Sequence, residues 1–193
     1  MARWILEVLA APLDGEGGLR LNAVAVSDRI AEMGFYLPLI PLHAAQLERL
    51  MRDWRGGAGP GLAFGRVQGM LNGFIDLIVA HLGRYFVLDY KSNHLGNRYS
   101  DYGRERLQAA VWEHQYDLQY LIYSVALHRY LQRRLPGYDY RCHFGGVYYL
   151  FLRGMGPERG DSSIYRDRPS LELIEALDRL FGADGAHGCP GAI

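Results

Sequence analysis

Apolar side chains recur at helical spacing in some parts of the chain and form strand-like runs in others. A short apolar segment at residues 4–9 predicts the end of a helix, and a Gly-rich loop follows it at 14–21. Residues 32–39 predict a strand that enters a helix at Pro41, because proline favours the first helical position. The Gly-rich run at 56–61 ends that helix. Its apolar positions follow a period close to 3.6 residues at Leu42, Leu47, Leu50 and Met51.

A β-hairpin is predicted in the middle of the chain. Two apolar runs flank Leu82-Gly83, and a two-residue loop that ends in glycine is typical of a tight hairpin. Counting outward from this turn places Asp76 directly opposite Asp89, with Cβ atoms about 4.5–5.5 Å apart. Lys91 projects from the same face as Asp89, because side chains of a strand alternate with period two. The hairpin therefore predicts that two carboxylates and one ammonium group converge.

The second half of the chain predicts a long helix, a strand and a last helix. Residues 104–134 contain neither Pro nor Gly and predict the longest helix, which stops at Pro136-Gly137. A strand is predicted at 144–152 and a helix at 170–181, and the Gly/Ala-rich residues 182–193 predict a flexible tail. The order strand, helix, hairpin, long helix, strand, helix predicts a single α/β domain without internal repeats.

The predicted convergence of charges carries an electrostatic cost that a metal ion would remove. Asp76 and Asp89 both stand among apolar neighbours, and partly buried, opposed carboxylates take up a proton or acquire a cation. Lys91 supplies one ammonium group for two acids, so a hard divalent ion such as Mg²⁺ is the natural remaining partner. The alternative is an ordinary Asp–Lys ion pair at a solvated strand end, since the triplet Asp-x-Lys is common by chance.

The composition draws attention to the same lysine. The chain has 21 basic side chains, and Lys91 is the one lysine among them. A genome-wide preference for arginine codons explains the skew, but a retained lysine offers a compact charge that arginine cannot imitate. Because Lys91 follows Asp89-Tyr90 and not a glycine, the chain has no phosphate-cradling loop of the Gly-x-x-x-x-Gly-Lys type.

Charge, cysteines and hydropathy exclude several classes of protein. The formal net charge of zero removes the basic balance of many nucleic-acid-binding proteins, although bound cations can supply positive charge to a neutral nuclease. Cys142 and Cys189 are too few for a disulfide scaffold or a four-cysteine metal site and fit a reducing cytoplasm. We expect neither a signal peptide nor a membrane anchor, because no run approaches about 20 apolar residues.

Three further polar residues are candidates for a site. Glu32 begins a predicted strand and is either a third carboxylate or a polar strand end. Gln119 and Tyr123 are four residues apart on the predicted long helix and therefore share a face. They belong to a polar and aromatic stripe that either packs in the core or holds a phosphate or a base.

Five segments, taken together and in order, resemble the nuclease domain of the RecB family, the exodeoxyribonuclease V beta subunits. The resemblance extends from about residue 4 to residue 181, and the joint occurrence of the segments makes it specific. The segments are 35–38 (FYLP), 73–77 (GFIDL), 88–93 (LDYKSN), 116–123 (YDLQYLIY) and 143–154 (HFGGVYYLFLRG).

The resemblance implies a PD-(D/E)XK nuclease with a restriction-endonuclease-like fold, in which helices flank a mixed central β-sheet. By the same resemblance Asp76 and Asp89 are metal ligands, and the Tyr90 backbone carbonyl is a further ligand. Lys91 corresponds to the catalytic lysine and Glu32 to the acid on the preceding strand. Gln119 and Tyr123 correspond to the Gln-x-x-x-Tyr element of the family.

The resemblance also implies a cofactor and partners. It implies Mg²⁺, with Mn²⁺ as a substitute and Ca²⁺ as an inhibitory occupant, and it implies DNA as the substrate. RecC-like and RecD-like subunits would complete the enzyme, a RecA-like recombinase would be recruited, and no membrane would be involved. We expect residues 1–181 to be a RecB-type C-terminal nuclease domain cut from a longer chain with helicase domains.

Two departures from the family pattern leave other functions open. Ile75 stands where the general motif has proline, as is usual for this subfamily, and no residue matches a metal-binding histidine that the family carries on an upstream helix. His43 lies on a different predicted helix and is not assigned that role. In isolation the chain could be a catalytically incomplete interaction module that docks the RecC-like subunit and recruits the recombinase. A purely structural α/β domain with an Asp89–Lys91 ion pair is the third reading.

Overall fold

A mixed five-stranded β-sheet forms the centre of the protein and helices cover both of its faces. The structure, a computed structural model, describes residues 2–14, 18–57, 60–156 and 162–182. The strands are β1 (Arg29–His43), β2 (Arg66–His81), β3 (Arg84–Lys91), β4 (Phe144–Phe151) and β5 (Ile164–Asp167). The helices are α1 (Ala2–Ala10), α2 (Ala44–Arg55), α3 (Arg104–Glu113), α4 (Tyr116–Arg134), α5 (Tyr140–His143) and α6 (Leu171–Leu180). The predicted α/β class with a mixed, helix-flanked sheet is confirmed.

The strands lie side by side in chain order, β1-β2-β3-β4-β5. All neighbouring strands are antiparallel except β3 and β4, which are parallel. A parallel pair needs a long crossover connection, and here that connection contains α3 and α4. The crossover therefore brings α4 over the sheet, where it contacts β1, β3 and β4.

Each face of the sheet has its own hydrophobic core. On the α1 face, Leu77, Val79 and Leu88 pack with residues of α1 and the segment after it. On the α4 face, Ile78 and Val87 pack with residues of α2, α4 and α6. No helix in the described part of the chain is long and apolar enough to cross a membrane.

The central hairpin has the predicted turn and register. Leu82 and Gly83 have positive φ angles of 49° and 75°, as a two-residue hairpin loop with a right-handed twist requires. The strands pair from His81↔Arg84 back to Leu77↔Leu88. This register carries Asp76 and Asp89 to the positions just beyond the last ladder pair.

The predicted helix start at Pro41 is wrong. β1 continues through Pro38 and Pro41 to His43, and α2 begins at Ala44. Proline is tolerated in β1 because this is an edge strand, where a missing backbone N–H removes no ladder bond on the open side. The helix start is instead marked by the His43 backbone N–H, which donates to the Gln46 side chain at 3.3 Å.

The predicted single helix over 104–134 is also wrong, because the chain forms two helices, α3 and α4. They meet at Gln115, whose left-handed backbone has a φ of 53° without any Gly or Pro to announce it. The Gln115 side chain donates to the backbone carbonyl of Gly61 at 3.0 Å, which ties this break to a distant loop. The short elements α5 and β5 were not predicted, and residues 183–193 of the predicted tail lie outside the described part of the chain.

Candidate active site

Strand β2 changes its orientation at Asp76. Ile75 packs into the core of the α4 face, whereas Leu77, two residues later, packs into the core of the α1 face. Regular alternation would put both on the same face, so the local twist at Asp76 reverses the pattern. The carboxylate of Asp76 turns toward β3, where it accepts a hydrogen bond from the backbone N–H of Tyr90 at 3.1 Å.

Strand β1 makes the same change at Glu32, opposite Asp76. Ala31 pairs with Leu77 and Met33 pairs with Ile75, so Glu32 lies at the level of Asp76. Glu32 has a φ of 51°, an uncommon left-handed backbone for a residue within a strand. Glu32 and Asp76 line one cleft of about 590 Å³ on the α1 face. The structure thus brings these two acids to the same cleft.

Asp89 and Lys91 lie on the α4 face and form a buried ion pair. The Lys91 ammonium nitrogen is 2.6 Å from the nearer Asp89 oxygen, and the residues are 8% and 3% exposed. Burial is the main cause that raises the pKa of the Asp89 carboxyl above its ordinary value. The Lys91 hydrogen bond and charge lower this pKa, whereas the negative charge of Asp76 raises it further. The Asp89–Lys91 pair therefore keeps an electrostatic cost, to which the charge of Asp76 contributes.

Helix α4 brings two predicted site residues, Gln119 and Tyr123, to Lys91. The Lys91 ammonium donates to the side-chain oxygen of Gln119 at 2.8 Å, and the amide nitrogen of Gln119 donates to the Tyr123 hydroxyl at 2.8 Å. Burial and the Asp89 charge raise the pKa of Tyr123 to about 12, so this hydroxyl keeps its proton at neutral pH. The structure brings Lys91, Gln119 and Tyr123 into one hydrogen-bonded chain.

Two aromatic residues outside the Gln-x-x-x-Tyr element, Tyr116 and Tyr149, complete the surroundings of Lys91. Its ammonium nitrogen lies 3.9 Å from the ring centroid of Tyr116 and 4.6 Å from that of Tyr149. Tyr149 also donates its hydroxyl to the Gln119 side-chain oxygen at 2.9 Å. Tyr149 was missed because it lies on β4, and only the parallel pairing of β3 with β4 places it beside Asp89.

The oxygen donors at this place suit a hard divalent cation. Asp76 and Asp89 offer carboxylates, and the carbonyl of Tyr90 projects on the same side of β3 as its N–H, which points to Asp76. Carboxylate and carbonyl oxygens are the ligands that Mg²⁺ prefers. Among the described residues, no three His, Cys, Asp or Glu side chains stand close enough to form a metal site by themselves. The donor set therefore fits a metal that also binds water or substrate oxygens.

Two histidines, His43 and His114, have surroundings other than the two aspartates of the predicted site. His43 is the residue before α2 and its backbone takes part in the start of that helix. His114 stacks on the ring of Tyr116, with centroids 5.2 Å apart, and so lies one ring away from Lys91. Neither residue contacts Asp76 or Asp89 through a described hydrogen bond.

Comparison with known proteins shows the family to which the chain belongs. Residues 29–184 match the PD-(D/E)XK nuclease superfamily. The RecBCD enzyme subunit RecB of Escherichia coli (strain K12) is 48% identical over 184 residues, which cover 94% of this chain and 16% of that protein. The RecB subunit of Haemophilus influenzae is 43% identical, with 94% of this chain and 15% of that protein covered. The RecB subunit of Mycobacterium tuberculosis (strain H37Rv) is 37% identical, with 80% and 16% covered.

Two findings define the class of protein. They are the sheet with its buried Asp89–Lys91 pair and the family match over residues 29–184 of the chain. The chain belongs to the PD-(D/E)XK nuclease superfamily. Its similarity to RecB subunits confirms the resemblance predicted from the five sequence segments. The chain spans about a sixth of the length of these relatives.

Proposed function

We propose that the chain is the nuclease domain of a RecBCD-type helicase–nuclease and hydrolyses DNA phosphodiester bonds with Mg²⁺. Asp76, Asp89 and the backbone carbonyl of Tyr90 would hold the ion, and Mn²⁺ would substitute for it while Ca²⁺ would occupy the site without supporting cleavage. The reaction would serve double-strand break processing in the cytoplasm. The similarity to RecB subunits supports this proposal.

The single observation that carries the proposal is the buried ion pair of Asp89 and Lys91 beside a second acid. A purely structural ion pair would not need Asp76, whose charge makes ionised Asp89 harder to bury. An arrangement that raises the pKa of a buried acid next to another acid is costly, and such costs are typical of functional sites. The purely structural reading leaves this cost unexplained.

The side chains of the chain divide the chemical work between them. A bound Mg²⁺ would polarise the phosphate and acidify the attacking water. Two of the three N–H bonds of the Lys91 ammonium point to Asp89 and Gln119. The third can reach the attacking water, which it would orient, or a phosphate oxygen, whose growing negative charge it would offset. Gln119 and Tyr123 hold the ammonium at the strand end, and Glu32 borders the cleft as a further acid.

The experiment measures degradation of linear DNA by the purified chain with and without Mg²⁺. We expect Mg²⁺-dependent cleavage that Asp89→Ala, Asp76→Asn and Lys91→Gln each abolish. Asp53→Asn is the matched control, because Asp53 is an exposed acid of α2 outside the site. Cleavage by the Asp89→Ala or Lys91→Gln protein at the rate of the unmodified chain would overturn the proposal.

The same assay separates the alternative, a catalytically incomplete interaction module. Weak Mg²⁺ binding without turnover, together with measurable binding of a RecA-like recombinase, would favour the module. Absence of metal binding would favour a structural domain. The proposed partners of the nuclease are DNA and RecC-like and RecD-like subunits, because the similar proteins are subunits of the RecBCD enzyme. A RecA-like recombinase is the proposed partner of the interaction module.

A further inference from the structure

The ammonium group of Lys91 lies between two tyrosine rings. Tyr116 begins α4 and Tyr149 lies on β4, so the rings come from different elements. The ammonium nitrogen is 3.9 Å and 4.6 Å from the two ring centroids, well within the range in which a ring face attracts a cation. Because Lys91 is only 8% exposed, little water competes with this attraction.

The hydroxyl of Tyr149 bonds the same oxygen of Gln119 as the Lys91 ammonium group does. The Gln119 oxygen accepts hydrogen bonds from Lys91 at 2.8 Å and from Tyr149 at 2.9 Å. If the amide were turned over, its NH₂ group would face the ammonium group, which has only donors. Burial raises the pKa of Tyr149 far above its ordinary value, so the hydroxyl keeps the proton that it donates.

Tyr149 has little freedom to leave this position. It is fully buried and is the β4 partner of Asp89 in the parallel pair. The ring of Tyr120 packs edge-on against it, with centroids 5.6 Å apart. The side chain is therefore fixed by both the sheet and α4.

We propose that Tyr149 is a positioning residue of the nuclease site, which holds the Lys91 ammonium by its ring and the Gln119 amide by its hydroxyl. The ring of Tyr116 makes the second contact with the ammonium group. The rings of Tyr116 and Tyr149 together are the Lys91 seat. The inference rests on the proposed function, because it assigns these residues a role in setting the position from which Lys91 acts. Neither tyrosine touches the reacting atoms, so both act through Lys91.

The kinetic test compares two changes at Tyr149 with a matched control. Tyr149→Phe keeps the ring and loses the hydroxyl, and we expect its kcat to fall about fivefold with an unchanged KM for DNA. Tyr149→Leu loses both contacts, and we expect a fall of about thirtyfold. Tyr140→Phe removes another buried hydroxyl, which donates to the Pro169 carbonyl at 2.8 Å away from the site, and should leave kcat unchanged.

A second measurement, by NMR, detects the contact of Lys91 with the two rings and does not depend on DNA cleavage. Lys91 is the one lysine of the chain, so lysine-selective ¹³C labelling gives a single side-chain signal set that needs no assignment. Ring currents of Tyr116 and Tyr149 should move the signals of the methylene group next to the ammonium away from their values in free lysine. Tyr149→Phe should keep most of this displacement, whereas Tyr149→Leu and Tyr116→Leu should each remove a large part.

The two measurements distinguish a failure of this inference from a failure of the proposed function. Undisplaced Lys91 signals in the folded, unmodified chain, or equal kcat values for Tyr149→Phe and Tyr140→Phe, would overturn the inference. An unmodified chain that shows displaced Lys91 signals but cuts no DNA would overturn the proposed function and leave the seat itself supported. Should Tyr149→Leu fail to fold, Tyr116→Leu at a half-buried position provides the ring comparison.

Discussion

The ammonium nitrogen of Lys91 lies 2.6 Å from a carboxylate oxygen of Asp89, and both side chains are more than nine-tenths buried. An isolated buried pair of this kind gains little, because the cost of taking two charges from water offsets their attraction. Here Lys91 also donates to Gln119, and the negative charge of Asp76 adds to the cost of ionised Asp89. The arrangement is better explained by chemistry than by stability.

Exchange of Lys91 for arginine tests whether the site needs an ammonium group or only a positive charge. We expect Lys91→Arg to fold normally and to lose nearly all cleavage, on the order of a hundredfold or more. The flat guanidinium is wider than an ammonium group and cannot occupy the space between Tyr116 and Tyr149 in the same way. Cleavage kinetics and circular dichroism measure the two effects.

The reverse exchange at an exposed position is the control for Lys91→Arg. Arg179→Lys on α6 conserves charge at a side chain that is 62% exposed and should change neither folding nor cleavage. Full activity of the Lys91→Arg protein would show that charge alone suffices at this position.

Stabilisation by Mg²⁺ should depend on pH through Asp89. Burial raises the pKa of Asp89, so between its ordinary and its raised pKa the folded protein holds a proton that the unfolded chain releases. The free energy of unfolding without metal therefore falls as pH rises through this window. Above the window Asp89 is ionised in the folded protein, and its burial carries the full electrostatic cost. A bound cation offsets that cost only where Asp89 is ionised.

The measurement is the shift of Tm on adding Mg²⁺ at about pH 7.5 and at about pH 5. We expect the larger shift at the higher pH, and we expect Asp89→Asn to abolish the difference. An equal shift at both pH values in the unmodified protein would argue against a metal held by this carboxylate.

The buried ion pair of Arg55 and Asp117 should be the most sensitive structural contact near the site. The Arg55 guanidinium bonds both oxygens of Asp117, at 2.6 Å and 2.7 Å, and the two side chains are 4% and 0% exposed. Asp117→Ala leaves a buried guanidinium without its partner, which we expect to lower the free energy of unfolding by about 3–5 kcal/mol. Urea denaturation measures the change.

An exposed pair supplies the comparison for Asp117→Ala. Arg141 and Glu172 lie 3.0 Å apart with side chains 72% and 69% exposed, so Glu172→Ala should cost far less stability than Asp117→Ala. If both variants lowered the free energy of unfolding by a similar amount, burial would not be the reason why the Arg55–Asp117 pair is important.

The hairpin turn offers a stabilising change. Leu82 has a φ of 49° and is 88% exposed, so it has a strained backbone and makes little packing contact. We expect Leu82→Asn to stabilise the protein by about 1 kcal/mol, because asparagine adopts this conformation readily and Asn-Gly is a favoured hairpin turn. Urea denaturation measures the gain, and cleavage should not change.

The control for Leu82→Asn is Leu6→Asn. Leu6 is 66% exposed on α1, where asparagine is a poorer helix former than leucine. A gain of stability in this variant too would show that the loss of an exposed apolar group, and not the turn backbone, is responsible.

The elements that depend on neighbouring residues could be predicted from the sequence. The contacts between residues far apart in the chain could not. The register of the hairpin follows from one turn and from period-two alternation, so the prediction placed Asp89 and Lys91 on one face as the structure does. The same counting placed Asp76 on that face too, which is wrong, because Asp76 lines the cleft on the α1 face. In β1 and β2 the alternation of side chains between the two faces of the sheet reverses at Glu32 and Asp76. The sequence does not indicate this reversal, because apolar residues stand on both sides of it. The break at Gln115 was missed because tertiary contacts with Gly61, and not a helix breaker, hold it.

The seat of Lys91 shows the same limit. Gln119 and Tyr123 could be paired from their four-residue spacing, and they are hydrogen-bonded in the structure. Tyr149 is 58 positions beyond Lys91 in the chain, and only the parallel pairing of β3 and β4 brings it to the site. Nothing local in the segment around Tyr149 distinguishes it from an ordinary core tyrosine.

The parallel joint between β3 and β4 also implies an order of events during folding. The hairpin that carries Asp76 and Asp89 closes a loop of two residues, whereas Tyr149 can arrive only after the whole α3–α4 crossover has been placed. Contacts distant in sequence form late, because their loop-closure entropy must be overcome first. We therefore expect pulse-labelling hydrogen exchange to protect the amides of the β2–β3 ladder before those of β4. Asp89 and Lys91 would then come together in an intermediate in which Tyr149 does not yet contact the lysine.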